Sequence, residues 1–127
     1  MILVDSSVWI DFFRGKAGAQ PLLGLIDEGR IITNDLILAE LVPSMRNRGE
    51  HKLEELMHSI AKAELRIEWT EVIDVQTELL SSGYGHVGIP DLIIVQNAKQ
   101  HGLSLLANDK HFRVLSELLG VKLHLTV

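Results

Sequence analysis

Short apolar runs that give way to helix-forming stretches recur along this chain of 127 residues. That alternation constrains the fold more than any other feature. Met1 to Val4 reads as a buried strand, with Ile2, Leu3 and Val4 in succession. Ser6 or Ser7 can cap the helix that follows, which runs to Arg14 and stops at Gly15. Gly15 to Gln20 reads as a loop, and Pro21 suits the first turn of a second helix ending at Gly29. Arg30 to Thr33 is a short strand, and Asn34 or Asp35 starts a third helix through Asn47, with a kink expected at Pro43. Gly49 to Glu64 has Leu53, Leu56, Met57 and Ile60 at helical spacing.

Leu65 to Trp69 alternates and predicts a third strand, after which Thr70 caps a helix reaching Gly83. Ser82 to Gly88 is a glycine-rich loop that lacks the Lys-Ser/Thr of a phosphate-binding P-loop, and its glycines suggest flexibility. Pro90 opens a helix ended by Gly102, Leu103 to Ala107 is a fourth strand, and Asn108-Asp109 starts a last helix through Leu119. Val121 to Val127 reads as an edge strand. Strands alternating with helices require a central parallel sheet covered on both faces. The expected fold is therefore α/β, a three-layer α/β/α sandwich. The consecutive helices between Asp35 and Glu64 are expected to form a hairpin projecting from the sheet.

The length suits one domain over residues 1–127, and a hydrophobic content of 46% fills one core. The absence of cysteine excludes disulfides and thiolate zinc sites. No apolar run approaches the ~18 residues of a membrane span, and no basic leader precedes an apolar stretch. A soluble, cytoplasmic protein without membrane partners is expected. The net charge of −5 argues against a broad electrostatic grip on nucleic acid. It leaves open a grip through metal ions and a local basic patch.

Most of the seventeen acidic residues lie among other polar residues. Four do not. Asp5 stands where the first strand gives way to a helix, and the crevice beyond strand ends is where open α/β sheets bind ligands. Asp109 follows the strand ending at Ala107 and so belongs to the same sheet edge. Asp91 opens the helix after Pro90, where the helix dipole favours an anion. Glu40 lies in Leu36-Ile-Leu-Ala-Glu-Leu-Val-Pro-Ser-Met45, whose apolar positions surround the helix and predict burial. A buried Glu needs a cation, from Lys, Arg or a metal. Each Asp alone could be a helix cap. Together, four carboxylates at one edge would repel, and a divalent ion would relieve them. Oxygen ligands without His or Cys favour Mg²⁺, with Mn²⁺ as a substitute. Ser7 could hydrogen-bond a carboxylate or a metal-bound water.

The opening Val4-Asp-Ser-Ser-Val-Trp-Ile-Asp-Phe-Phe-Arg14-Gly resembles the start of PIN-domain proteins, especially the VapC-type toxins of toxin–antitoxin modules. Glu40 within a helix, Asp91 opening one, and Leu105-Leu-Ala-Asn-Asp109-Lys-His-Phe112 match the later motifs. The resemblance implies a Mg²⁺-dependent endoribonuclease with Asp5, Glu40, Asp91 and Asp109 as its acidic residues, and Ser7 and Asn108 as supporting polar residues. It further implies an RNA substrate, a cognate antitoxin and a homodimer. Ile89-Pro90 and Pro43 depart from the usual pattern without removing an acid. Arg14, Lys16, Arg46, Arg48, Lys52 and Lys110 are the expected phosphate contacts, and single-stranded or looped RNA is the expected target. The six histidines read as surface or packing residues, and Trp9, Phe12 and Phe13 as core or dimer packing rather than a base-stacking platform.

Two other readings share the outline. A phosphoacceptor receiver domain has a similar size and clustered Asp residues, but wants adjacent acids after the first strand and a Lys after the last. A PIN fold kept only as a non-catalytic binding scaffold would not need all four acids.

Overall fold

A computed structural model describes residues 1–126. Four strands form one sheet in the order β2-β1-β3-β4. They are β1 (Ile2–Val4), β2 (Ile31–Ile32), β3 (Ser104–Ala107) and β4 (Leu123–Leu125). Every pairing is parallel, with Leu3 opposite Ile32 and Leu105, and Leu105 opposite Leu123. Ile2, Leu3 and Val4 are all buried although successive side chains point to opposite faces, so β1 is covered on both sides. Among the described residues, seven α-helices supply the cover: α1 (Ser6–Phe13), α2 (Pro21–Asp27), α3 (Asp35–Asn47), α4 (His51–Ser59), α5 (Trp69–Ser81), α6 (Ile89–Gln100) and α7 (His111–Leu119), and the loop expected over 15–20 holds a short 3-10 turn, Ala17–Ala19. This is the expected three-layer α/β/α arrangement.

The expected strand at Leu65–Trp69 is absent, and the alternation that suggested it has another cause. Ala63 is buried, Leu65 and Ile67 are half-buried, and the residues between them are exposed, so the segment is extended against the body. Just before it, Thr33 and Lys62 form an isolated parallel bridge, with Ala63 N donating to Thr33 O at 2.8 Å. Beyond that, side chains of α6 replace a ladder. Asn97 Nδ2 donates to Glu64 O at 3.0 Å, and Gln100 Nε2 to Arg66 O at 2.6 Å. Gln96 accepts from Glu68 N and donates to Glu68 O, both at 3.1 Å. Gln96 and Asn97 are 1% exposed in an otherwise apolar stretch, and these bonds satisfy them. Glu68, held at both ends by Gln96, occupies the N-cap of α5 in place of the expected Thr70, and no side chain caps that helix.

Other boundaries also shift. The amphipathic helix expected over Gly49–Glu64 shortens to α4, and α3 and α4 pack as a hairpin fastened by Arg46 and Glu54. α3 continues through Pro43 without interruption. The last helix begins at His111 rather than Asn108-Asp109. The edge strand expected over 121–127 narrows to β4, and Val127 lies outside the described residues. The glycine-rich loop is a folded turn, with Tyr84 N donating to Leu79 O at 2.7 Å and Val87 N to Tyr84 O at 3.1 Å. Trp9 is fully buried and stacks on Phe13 at 5.8 Å, as core packing requires.

Candidate active site

The parallel register sets the site. Val4 is opposite Leu106, so the chain leaves β1 and β3 at the same sheet edge. Asp5 is the next residue, its amide donating to Leu106 O at 2.9 Å. Asp5, rather than Ser6 or Ser7, caps α1: its Oδ2 accepts from Ser7 N at 3.1 Å and from the Ser7 hydroxyl. The bland reading of Asp5 as a cap is thus correct, and it does not exhaust the residue. Asp5 is 4% exposed, and burial pushes its carboxyl above the usual range, with Asp109 adding to the rise and the Ser7 bonds opposing it.

Asp91 lies in the first turn of α6 without capping it. Its pKa is pushed up to about 6, first by burial, then by the charges of Asp5 and Asp109, with His111 opposing. Glu40 projects from α3. The expectation of a buried helix fails here: Ile37, Leu38, Leu41, Val42 and Met45 are buried, but Ala39, Glu40, Pro43 and Ser44 face solvent. Although exposed as a residue, Glu40 has a partly desolvated carboxylate. Desolvation raises its pKa, Asp5 and Asp91 raise it further, and the Ser6 hydroxyl lowers it. Asp109 is half-buried beyond β3, accepting from His111 N at 2.9 Å with His111 Nδ1 at 3.3 Å.

The four acids therefore share one neighbourhood and repel one another. Among the described residues, no Lys or Arg forms an ion pair with Asp5, Glu40, Asp91 or Asp109. An oxygen-only donor set without a counter-cation fits a hard divalent ion. No three acidic or imidazole side chains among the described residues converge into a finished coordination cage.

The supporting residues divide. Ser7 bonds Asp5 directly. Asn108 does not touch the acids: its Nδ2 donates to Asp11 Oδ2 at 2.5 Å and to Ser7 O at 3.4 Å, tying the end of β3 to α1. Sequence reasoning missed Asp11, which also pairs with Lys16 at 3.3 Å, and it missed Ser6 beside Glu40. Both lie inside the opening motif, which gave no reason to separate them from their neighbours. His111, read as a surface residue, stands against Asp109. Of the expected phosphate contacts, Arg14 and Arg48 line a cavity of about 220 Å³ between α1 and α3 that also borders Glu40. Arg46 is instead committed to Glu54 at 2.8 Å, and Arg48 lies 3.8 Å from Glu50. Lys52 and Lys110 are exposed.

The sequence matches the PIN domain family over residues 2–118, and the chain belongs to that family of nucleases. Its structure is similar to that in DNA-bound VapBC from Salmonella typhimurium, with a TM-score of 0.77, 17% identity, and coverage of 99% of this chain and 98% of that one. It is also similar to VapBC2 from Rickettsia felis bound to a promoter DNA fragment, with a TM-score of 0.73, 19% identity, and coverage of 98% of each chain. No curated protein matches the sequence significantly. The family assignment sets aside the phosphoacceptor alternative.

Proposed function

We propose that this chain is a divalent-metal-dependent endoribonuclease acting as the toxin of a toxin–antitoxin module. One observation carries the reading. Acids from positions 5, 40, 91 and 109 gather at one sheet edge, where burial and the neighbouring carboxylates raise the pKa of Asp5, Glu40 and Asp91, with no Lys or Arg paired to the four among the described residues. Asp5, Asp91 and Asp109 are the proposed ligands of Mg²⁺, directly or through water, and Mn²⁺ is a fitting substitute. When bound, the ion neutralises charge on a phosphodiester and acidifies water. Ser7 fixes the rotamer of Asp5, so that ligand costs little to order. Glu40, at the solvent side, completes the ligand set or orients the attacking water. Asn108 holds the loop carrying Asp109 against α1. A retained scaffold without catalysis would have no use for this repulsion.

The partner reading has its own support. The VapBC structures are complexes, and the α1–α3 cavity has walls of Ile10, Phe13, Leu41 and Met45 with Arg14 and Arg48 among its lining, which suits an amphipathic antitoxin segment. On α5, Trp69, Ile73 and Leu80 are 59%, 64% and 73% exposed, a surface that favours a homodimer.

The test is cleavage of single-stranded RNA. Wild type should cut in Mg²⁺ and stop in EDTA. Asp5→Asn and Asp91→Asn should each lose activity by about 100-fold or more, a barrier increase of about 2.7 kcal/mol. Full-rate cleavage in EDTA would refute the metal mechanism.

A further inference from the structure

The turn between α5 and α6 carries the only tyrosine of the chain, and its ring begins a row of exposed aromatics. Tyr84 lies 6.3 Å from His86, with ring planes at 42°, and His86 lies 4.8 Å from His111 at 65°. All three residues are exposed. The row leads outward from the acidic edge, because His111 touches Asp109 and acts electrostatically on Asp91. Its frame is well fixed. Val87 is buried and its carbonyl accepts from Gln76 Nε2 at 3.3 Å. Gly83 has φ +84°, and a Cβ at Gly85 would come within 2.9 Å of Leu80 Cδ1, so the turn is seated closely on α5.

We propose that Tyr84, His86 and His111 form a stacking platform for unpaired bases of RNA beside the phosphate presented to the acidic site. The proposal rests on the ribonuclease reading above. The physical need is plain. The chain carries a net charge of −5, so a broad electrostatic grip on the RNA backbone is a poor source of affinity. Stacking uses the face of a base, works for any base, and is worth about 5- to 150-fold in affinity per base. It requires unpaired nucleotides, because duplex bases already stack on one another. Trp9 is fully buried and cannot serve.

The test uses a single-stranded oligoribonucleotide carrying 2-aminopurine, with Ca²⁺ replacing Mg²⁺ for binding and Mg²⁺ restored for turnover. Tyr84→Ala and His86→Ala should each weaken binding at least 5-fold and reduce 2-aminopurine quenching. In Mg²⁺ the loss should fall on KM more than on kcat. Tyr84→Phe and His86→Phe should restore binding to within about twofold, because the ring face is what matters. Alanine variants that bind as tightly as wild type would overturn the proposal. So would His86→Lys restoring affinity where His86→Phe does not, which would mean a charge contact. A changed oligomeric state with unchanged RNA affinity would assign the row to a protein interface and equally overturn it. If wild type neither binds nor cleaves RNA, the ribonuclease reading itself fails, and the platform with it.

Discussion

Asp5 is asked to cap a helix and to be an uncomfortable anion, and the two demands can be separated by substitution. Asn caps about as well as Asp, whereas Ala forfeits about 1 kcal/mol. In EDTA at neutral pH, Asp5→Asn should be at least as stable as wild type in urea titrations, and Asp5→Ala about 1 kcal/mol less stable than Asp5→Asn. Asp91 gives the pH signature. Its carboxyl titrates near 6 in the folded chain and near 3.9 when unfolded, so the folded state holds the extra proton between those values. Metal-free stability should therefore fall as pH rises through that window and stay lower above it. Asp91→Asn should flatten the slope and, at pH 7.5, stabilise by about 1–3 kcal/mol. A slope of the opposite sign would refute the burial argument. The placement of Asp5, Asp91 and Asp109 was legible in the sequence because each sits where a strand or helix must end or begin. Glu40 was singled out for a reason that fails: the apolar count around α3 included Ala39 and Pro43, which turn outward with Glu40 and Ser44.

At the scale of elements, the alternation in Leu65–Trp69 reported a half-buried extended segment correctly, but alternation does not say what pairs with the backbone. Gln96, Asn97 and Gln100 supply that pairing from far along the chain, and their amides inside α6 carried no sequence signal for it. Asn97 also accepts from Asn34 Nδ2 at 3.0 Å, while Asn34 Oδ1 caps α3 through Ile37 N at 2.8 Å. Asn97→Ala leaves the buried Asn34 Nδ2 unpaired, while Glu64 O keeps the His101 ring at 2.9 Å, and should cost about 1–3 kcal/mol in urea unfolding. Gln100→Ala, at an exposed position, should cost under about 1 kcal/mol. Equal losses would mean that the buried amide network does not hold the segment.

The whole molecule reads as a sheet edge that collects remote carboxylates. The parallel topology was legible because strand and helix patterns alternate, and parallel strands put their ends together. The spacing of the acids was not legible, since it depends on side-chain packing at the ends of β1, β3 and α6 rather than on any local pattern. Repulsion that no Lys or Arg among the described residues relieves should be relieved by a bound ion, and binding to the folded state alone raises stability by about 2.7 kcal/mol at 100 times Kd. The decisive measurement is thermal unfolding of the purified chain with and without Mg²⁺. The account predicts a rise of several degrees in Tm for wild type, removed by EDTA and largely lost in the Asp5→Asn, Asp91→Asn double variant. An unchanged wild-type Tm in both Mg²⁺ and Mn²⁺, or an equal rise in the double variant, would contradict it.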